Sequence, residues 1–131
     1  MTNSEKNSSI TSTDYLNLCV IDGILYCIYK DIELVDLETA KICVKQRIEY
    51  SENKSYPVLF DITRVKQSTK EGRDYLANEG NDLVIASAIL IGSPMLKMSA
   101  NFFIRVNKPK NPTQMFTDKN SALKWLAQFK S

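Results

Sequence analysis

The chain has 131 residues, 44% of them apolar, which fits one globular domain with a hydrophobic core. Its formal charge of +2 is too balanced for a protein whose affinity rests on nucleic-acid phosphates, and no apolar run approaches the ~20 residues of a membrane span. The complete absence of histidine excludes Ser-His-Asp and His-zinc sites and leaves Asp, Glu, Lys or Tyr as possible catalytic groups. Because the N-terminus also lacks the apolar core of a signal peptide, we expect a cytoplasmic protein. The missing histidines and the lack of a recognisable catalytic constellation favour a non-enzymatic protein, and no cofactor is expected.

The N-terminal region divides into a polar and an apolar part. Residues 1–13 are rich in Ser, Thr and Asn and predict a disordered tail before a single domain at 14–131. Two apolar segments, 15–22 and 24–30, flank Asp22-Gly23, a pair typical of a tight hairpin turn. These segments are therefore expected to be antiparallel neighbours.

The first helix is predicted directly after this hairpin. Asp36 is a suitable N-cap, and apolar residues then repeat at helical spacing. The expected buried face consists of Leu37, Ala40, Val44 and Ile48. The three cysteines, Cys19, Cys27 and Cys43, lie in apolar segments, where we expect small buried side chains. A three-thiolate metal site is the alternative, although the sequence has no close C-x-x-C pair.

Strands and helices alternate through the rest of the chain. Apolar strands are expected at 56–62, 83–92 and 113–118, and each is followed by a helical segment. The predicted order is ββαβαβαβα, which implies βαβ units with right-handed crossovers. We expect an α/β fold with a mixed, mainly parallel sheet of about five strands, an N-terminal hairpin and four helices.

The segment between the strand at 56–62 and the second helix contains a capping pattern. Ser68, followed three positions later by Glu71, fits a capping box and predicts Ser68 as the N-cap. Gly72 falls in the first helical turn although glycine is a poor helix former. It predicts either close packing of this helix within the protein or the close approach of a partner.

The same segment, "VLFDITRVKQSTKEGRDYL", resembles the STAS family. That family includes the anti-sigma factor antagonists and the regulatory domains of sulfate transporters. Asp61 matches its strand-end acid, Val65 its valine and Gly72 its glycine. Thr69 falls on the aspartate before the family's serine pair, and that pair is replaced here by Lys70 and Glu71.

A second resemblance covers most of residues 14–130. The motifs "YPVL", "RDY", "LIGSP" and "FTD" are similar to small bacterial proteins described as STAS/SEC14-like, with the SpoIIAA-like fold. This resemblance implies that fold for the whole domain.

The STAS resemblance implies a regulatory module that binds a protein partner and has no catalytic function. The implied partner-binding residues lie between the strand and the helix: Asp61, Thr63, Arg64, Ser68, Thr69, Lys70, Glu71 and Gly72. In the antagonists, phosphorylation of a serine at this place breaks binding through added charge. Because Lys70 and Glu71 replace the serine pair, we expect that the usual phospho-serine switch is absent.

The predicted helix at 93–108 carries apolar residues on more than one face. Ser93 is a suitable N-cap, and the apolar residues of interest are Met95, Met98, Phe102 and Phe103. This excess suggests a partner surface, a homodimer interface or the wall of a pocket for an apolar or lipid-like ligand. Alternatively, one stripe packs under a neighbouring helix. Binding of a lipid-like ligand is therefore the second functional hypothesis, and an enzyme is the third.

Overall fold

The computed structural model describes residues 9–92 and 110–130. Four strands precede the first helix, and further strands and helices follow along these residues. The strands are β1 (Thr11–Ser12), β2 (Leu16–Ile21), β3 (Ile24–Tyr29), β4 (Ile32–Val35), β5 (Tyr56–Asp61), β6 (Val65–Ser68), β7 (Val84–Leu90) and β8 (Thr113–Phe116). The helices are α1 (Leu37–Ser51), α2 (Lys70–Asn78), which a 3-10 helix (Glu79–Asn81) continues, and α3 (Lys119–Ala127).

The main sheet has six strands in the order β1-β2-β3-β5-β7-β8. The first three strands are antiparallel neighbours, whereas β3, β5, β7 and β8 pair in parallel. The predicted hairpin is confirmed: β2 and β3 meet at Asp22 and Gly23, whose φ angles of 52° and 79° suit a tight turn of this kind. The mixed, mainly parallel sheet of the predicted α/β class is therefore confirmed.

The number of strands and the extent of the tail differ from the prediction. Thr11 and Ser12, placed in the disordered tail, form an edge strand that pairs with Leu18 and Asn17. A separate two-stranded sheet, β4 with β6, was not predicted either. β1 and β6 carry mainly polar residues, so the apolar signal of a strand is missing from them. β4, with the sequence IELV, is apolar but only four residues long. The described residues contain three α-helices, and the predicted helix at 93–108 lies outside them.

The sheet has a separate hydrophobic core on each face. One core lies under α1 and α2 and includes Leu16, Leu25, Cys27, Cys43 and Val58. The other lies under α3, where Ala86 and Ala88 leave room for Ala122 and Leu126. Trp125 and Phe129 pack against this second core. The spacing of Ala122, Trp125, Leu126 and Phe129 predicts a buried face for this last helix, and that face is confirmed.

All three cysteines are buried, as expected. Cys19 belongs to the core under α3, whereas Cys27 and Cys43 belong to the opposite core. The three thiols therefore do not meet in one metal site. Burial raises the pKa of the Cys43 thiol to about 12 and raises the pKa of Cys27 as well. A thiol with a raised pKa is a poor nucleophile at neutral pH, so these residues act as small core side chains.

The buried face of α1 is rotated from the predicted one. The Asp36 side chain accepts a hydrogen bond from the Thr39 amide at 2.9 Å, which confirms the predicted N-cap. Ala40 and Val44 are buried as expected, but Leu37 and Ile48 are half-buried. The fully covered positions are Ala40, Cys43, Val44, Arg47 and Ser51. The shift follows from packing, since α1 contacts α2 as well as the sheet.

No helix within residues 9–92 and 110–130 is long and apolar enough to cross a membrane.

Candidate functional site

Residues 61–72, which we call the junction, connect β5 to α2 and hold all the predicted partner-binding residues. The junction is not a free loop, because its middle residues form β6 and pair in parallel with β4. The register places Val65 opposite Ile32 and Ser68 opposite Val35. Since β4 leads directly into α1, this pairing joins the start of α2 to the start of α1.

The junction begins with a turn that Asp61 closes. Its Oδ1 accepts hydrogen bonds from the Thr63 amide at 3.0 Å and from the Thr63 hydroxyl at 2.7 Å. This is the arrangement by which Asp stabilises a turn through its own backbone two residues on. The Asp61 carboxylate is thus engaged with Thr63, and it acts as a turn residue at the end of β5.

Arg64 fixes the outer part of the junction to the segment before β4. Its Nε and Nη2 donate to the two carboxylate oxygens of Asp31 at 2.8 and 2.6 Å. This bidentate pair lowers the pKa of Asp31, an effect to which Lys66 also contributes, and raises the pKa of Arg64. Both side chains are exposed. Asp31 was not predicted as a site residue, because the two partners are 33 residues apart and no local pattern links them.

The predicted capping box of Ser68 and Glu71 is wrong, because Thr69 caps α2. The Thr69 hydroxyl accepts from the Gly72 amide at 3.0 Å, while the Thr69 amide donates to the Val35 carbonyl at 3.0 Å. Pairing with Val35 keeps Ser68 in β6, so the helix begins one residue later than expected. The Ser68 hydroxyl and carbonyl instead accept from Arg73 at 3.2 and 2.8 Å.

Gly72 is explained by close packing. A Cβ at this position would lie 2.6 Å from the Val35 carbonyl oxygen and 3.1 Å from the backbone of Asp36. Real side chains do not approach a backbone oxygen so closely, so only glycine fits here. Of the two reasons that the sequence allowed, close packing is confirmed, and the contact is with the backbone between β4 and α1.

The outward side of the junction carries polar and charged residues of both signs. Lys70 forms an ion pair with Asp74 at 2.8 Å, one turn further along α2, and this partner raises the pKa of Lys70. Glu71 is exposed at the second helical position. The exposed junction residues are Thr63, Arg64, Lys66, Gln67, Lys70 and Glu71.

The second predicted surface cannot be placed beside the junction. Its residues, Ser93, Met95, Met98, Phe102 and Phe103, lie outside the described residues. The end of β7 does approach the junction, because a Cβ at Gly92 would lie 3.9 Å from the Thr63 carbonyl oxygen.

Comparison with solved structures defines the class of fold. The chain is similar to an uncharacterised protein of the DUF3478 family with a SpoIIAA-like fold from Shewanella loihica PV-4. The TM-score is 0.58 at 15% identity, and the match covers 96% of this chain and 99% of that one. This similarity confirms the SpoIIAA-like fold that the sequence resemblance implied.

The chain belongs to the family described as Domain of unknown function (DUF7793), which matches residues 18–130. A protein with unknown function from Arthrobacter sp. FB24 shares 22% identity over 91% of this chain and 98% of its own, with a TM-score of 0.31. A search of curated proteins gives no match.

Proposed function

We propose that the protein is a regulatory interaction module that binds a protein partner through the junction and catalyses no reaction. The observation that carries this proposal is the set of tertiary contacts that support the exposed residues of the junction from beneath, and we infer that this support is rigid. Three contacts provide it: the Thr69 amide on the Val35 carbonyl, Arg64 on Asp31, and the close approach of Gly72 to Val35.

A rigid surface favours binding because its residues lose little conformational freedom when a partner docks. The exposed Lys66, Lys70 and Glu71 place charges of both signs on this support. Charges of both signs suit a protein partner with a complementary pattern, since such patterns govern the specificity and rate of association. An apolar ligand would find no comparable match among these side chains.

The proposed module lacks the phospho-serine switch of the STAS antagonists. Lys70 and Glu71 replace the serine pair of the resembled motif, and neither is an acceptor for a serine kinase. The nearest hydroxyl groups, on Ser68 and Thr69, are already hydrogen-bonded to Arg73 and to the Gly72 amide. Partner binding at this surface would therefore not be released by phosphorylation of that serine pair.

Native mass spectrometry of protein purified from its host tests the proposal. The wild type, Glu71→Lys and a control, Glu49→Lys, are compared. Glu49 is an exposed residue of α1 and receives the same charge change away from the junction. We expect the wild type and Glu49→Lys to carry a second protein of the same mass, and Glu71→Lys to lose it because a carboxylate becomes an ammonium group at the contact.

Three outcomes would contradict this proposal. A partner retained by Glu71→Lys would move the binding surface away from the junction. A lipid-sized adduct in place of a protein would support the alternative, a carrier of an apolar or lipid-like ligand. A mass of two chains in all three samples would show a homodimer that does not use the junction.

A further inference from the structure

Arg47 is a charged residue in the core between α1 and the sheet. Its side chain belongs to the buried face of α1 and is 1% exposed. Nη2 donates to the Gly80 carbonyl at 3.1 Å and to the Asp82 carbonyl at 2.9 Å. The guanidinium carbon lies 5.9 Å from the centre of the Phe60 ring, within the range of a cation–π contact.

The position of Arg47 is unfavourable for a charge. Its Nη1 has no hydrogen-bond partner within residues 9–92 and 110–130, and no carboxylate there forms an ion pair with it. Burial lowers the pKa of this guanidinium, an effect that the charge of Asp82 partly opposes. An unpaired buried cation destabilises a fold unless its contacts offset the loss of hydration. We therefore do not expect Arg47 to raise the overall stability of the fold. We expect it to affect the position of the elements that it contacts.

The contacts of Arg47 lie at one end of α2. Gly80 is within the 3-10 helix that continues α2, and Asp82 follows that helix. At its other end, about 14 Å away along nine residues, α2 rests on Val35 through Gly72 and Thr69. The helix is thus fixed at both ends to the same segment, β4 and α1.

Asn111 also holds the turn after α2 but does so from another direction. Its side-chain amide donates to the Asn81 carbonyl at 3.2 Å and to the Val84 carbonyl at 2.7 Å. These bonds tie the turn to the start of β7. Arg47 ties this turn to α1. The junction, at the other end of α2, contacts the segment that leads into α1.

We propose that Arg47 is a positioning residue that sets the orientation of α2 on α1 and thereby the shape of the junction. The proposal rests on the proposed function only in treating the junction as the binding surface. Without Arg47, α2 would keep its contact at Gly72 and its apolar packing on the core, and it would lose two hydrogen bonds at its far end. The helix could then pivot about Gly72, and the exposed side chains of the first turn would move with it.

Hydrogen exchange of the free protein tests this inference in Arg47→Met, which keeps much of the volume and removes the donors. The reporters are the amides of Thr69 and Gly72, both hydrogen-bonded at the junction, with the Ala122 amide of α3 for comparison. We expect exchange about tenfold faster at Thr69 and Gly72 than in the wild type, because two hydrogen bonds that hold α2 are gone. Exchange at Ala122 should not change.

A control variant separates positioning from a general loss of stability. Leu126→Ala removes a fully buried side chain from the core on the other face of the sheet. It should accelerate exchange in α3 at least as much as at the junction. Arg47→Lys keeps the charge but not the planar pair of donors, so it should show the same selective pattern as Arg47→Met to a smaller extent.

Two results would overturn the inference. One is unchanged exchange at Thr69 and Gly72 in Arg47→Met. The other is an acceleration spread evenly over junction and α3, as a merely structural role would give. If Arg47→Met does not fold, the pattern in Arg47→Lys decides. Because no partner is present in these measurements, a failure here leaves the Glu71→Lys test of the proposed function unaffected.

Discussion

Helices α2 and α3 begin with the same local geometry in very different surroundings. Thr69 caps α2 by accepting from the Gly72 amide at 3.0 Å, and Asp118 caps α3 by accepting from the Ser121 amide at 2.8 Å. In α2 the third helical residue touches the backbone of Val35, whereas in α3 the same position is exposed. The Asp118 cap only begins α3. The Thr69 cap begins α2 at a point where the helix also contacts the backbone between β4 and α1.

The difference shows why local sequence motifs do not reveal a site by themselves. Capping stabilises each helix by satisfying an amide that lacks a partner in its first turn. At α2 the surroundings add pairing of β6 with β4 and a bidentate contact of Arg64 with Asp31. These contacts attach the start of α2 to the segment before α1, and the proposed function depends on that support.

The largest expected effect is that of Gly72→Ala. Helix propensity alone predicts a gain of about 0.5–1 kcal/mol in the free energy of unfolding, because alanine suits a helix better than glycine. The new Cβ would instead lie 2.6 Å from the Val35 carbonyl oxygen, and α2 would have to move away from the backbone between β4 and α1. We expect a net loss of about 2 kcal/mol, measured by urea denaturation.

Ser121→Ala is the matched control, since Ser121 holds the same position in α3. It loses one hydrogen bond from its hydroxyl to Asp118, at 2.8 Å, on an exposed surface. The expected loss is below about 1 kcal/mol. If Gly72→Ala were as mild as Ser121→Ala, or stabilising, the close approach of α2 to Val35 would not exist in solution.

A smaller effect is expected from the cap of α2 itself. Thr69→Ala removes the acceptor for the Gly72 amide and should lower the free energy of unfolding by about 1 kcal/mol. Ser68→Ala should be milder, because the Ser68 carbonyl keeps its bond to Arg73 at 2.8 Å. Thr69→Ser keeps the acceptor and should be close to the wild type. Urea denaturation orders the three variants, and a larger loss from Ser68→Ala would restore the capping box that the sequence suggested.

Much of the fold could be predicted because its signals are local. Asp36 as a cap, the Asp22-Gly23 turn and the apolar face of α3 all follow from neighbouring residues, and all are confirmed. The β6 strand could not be predicted this way. Its residues, "VKQS", lack an apolar pattern, and the strand exists because β4 lies beside it.

The binding role of the candidate site stays a prediction. Its residues from Asp61 to Gly72 came from a family resemblance, and the structure gathers them around one support. Asp31 and Arg47 were missed for a physical reason. Each acts on a partner about 33 residues away, so no spacing along the chain marks it. Gly72 was the one local signal of a tertiary contact, because it is out of place in a helix.

The smallest expected effect is a difference in pH dependence between the Asp118 cap of α3 and the Thr69 cap of α2. Hydrogen bonds from the Ser121 amide and hydroxyl lower the pKa of the Asp118 carboxyl below its usual value. A carboxyl with a lowered folded pKa stabilises the fold above its unfolded pKa, near ~3.9, and this contribution is lost as the pH falls through the folded pKa. Asp36 behaves likewise at α1, where hydrogen bonds from Thr39 lower its pKa. The hydroxyl of Thr69 does not titrate in this range.

Acidification from pH 7 to pH 2 should therefore weaken the cap of α3 and leave that of α2 in place. The NMR shift of the Ser121 amide should follow a single step with a midpoint below the usual value for aspartate, because ionised Asp118 is the stabilised form. Asp118→Asn keeps an acceptor for the amide but has no proton to lose, so this step should disappear. A Ser121 step that persists in Asp118→Asn, or a midpoint above ~3.9, would mean that Asp118 does not hold this amide as its carboxylate. The two helix starts would then lose the chemical difference that their caps predict, and only their packing would distinguish them.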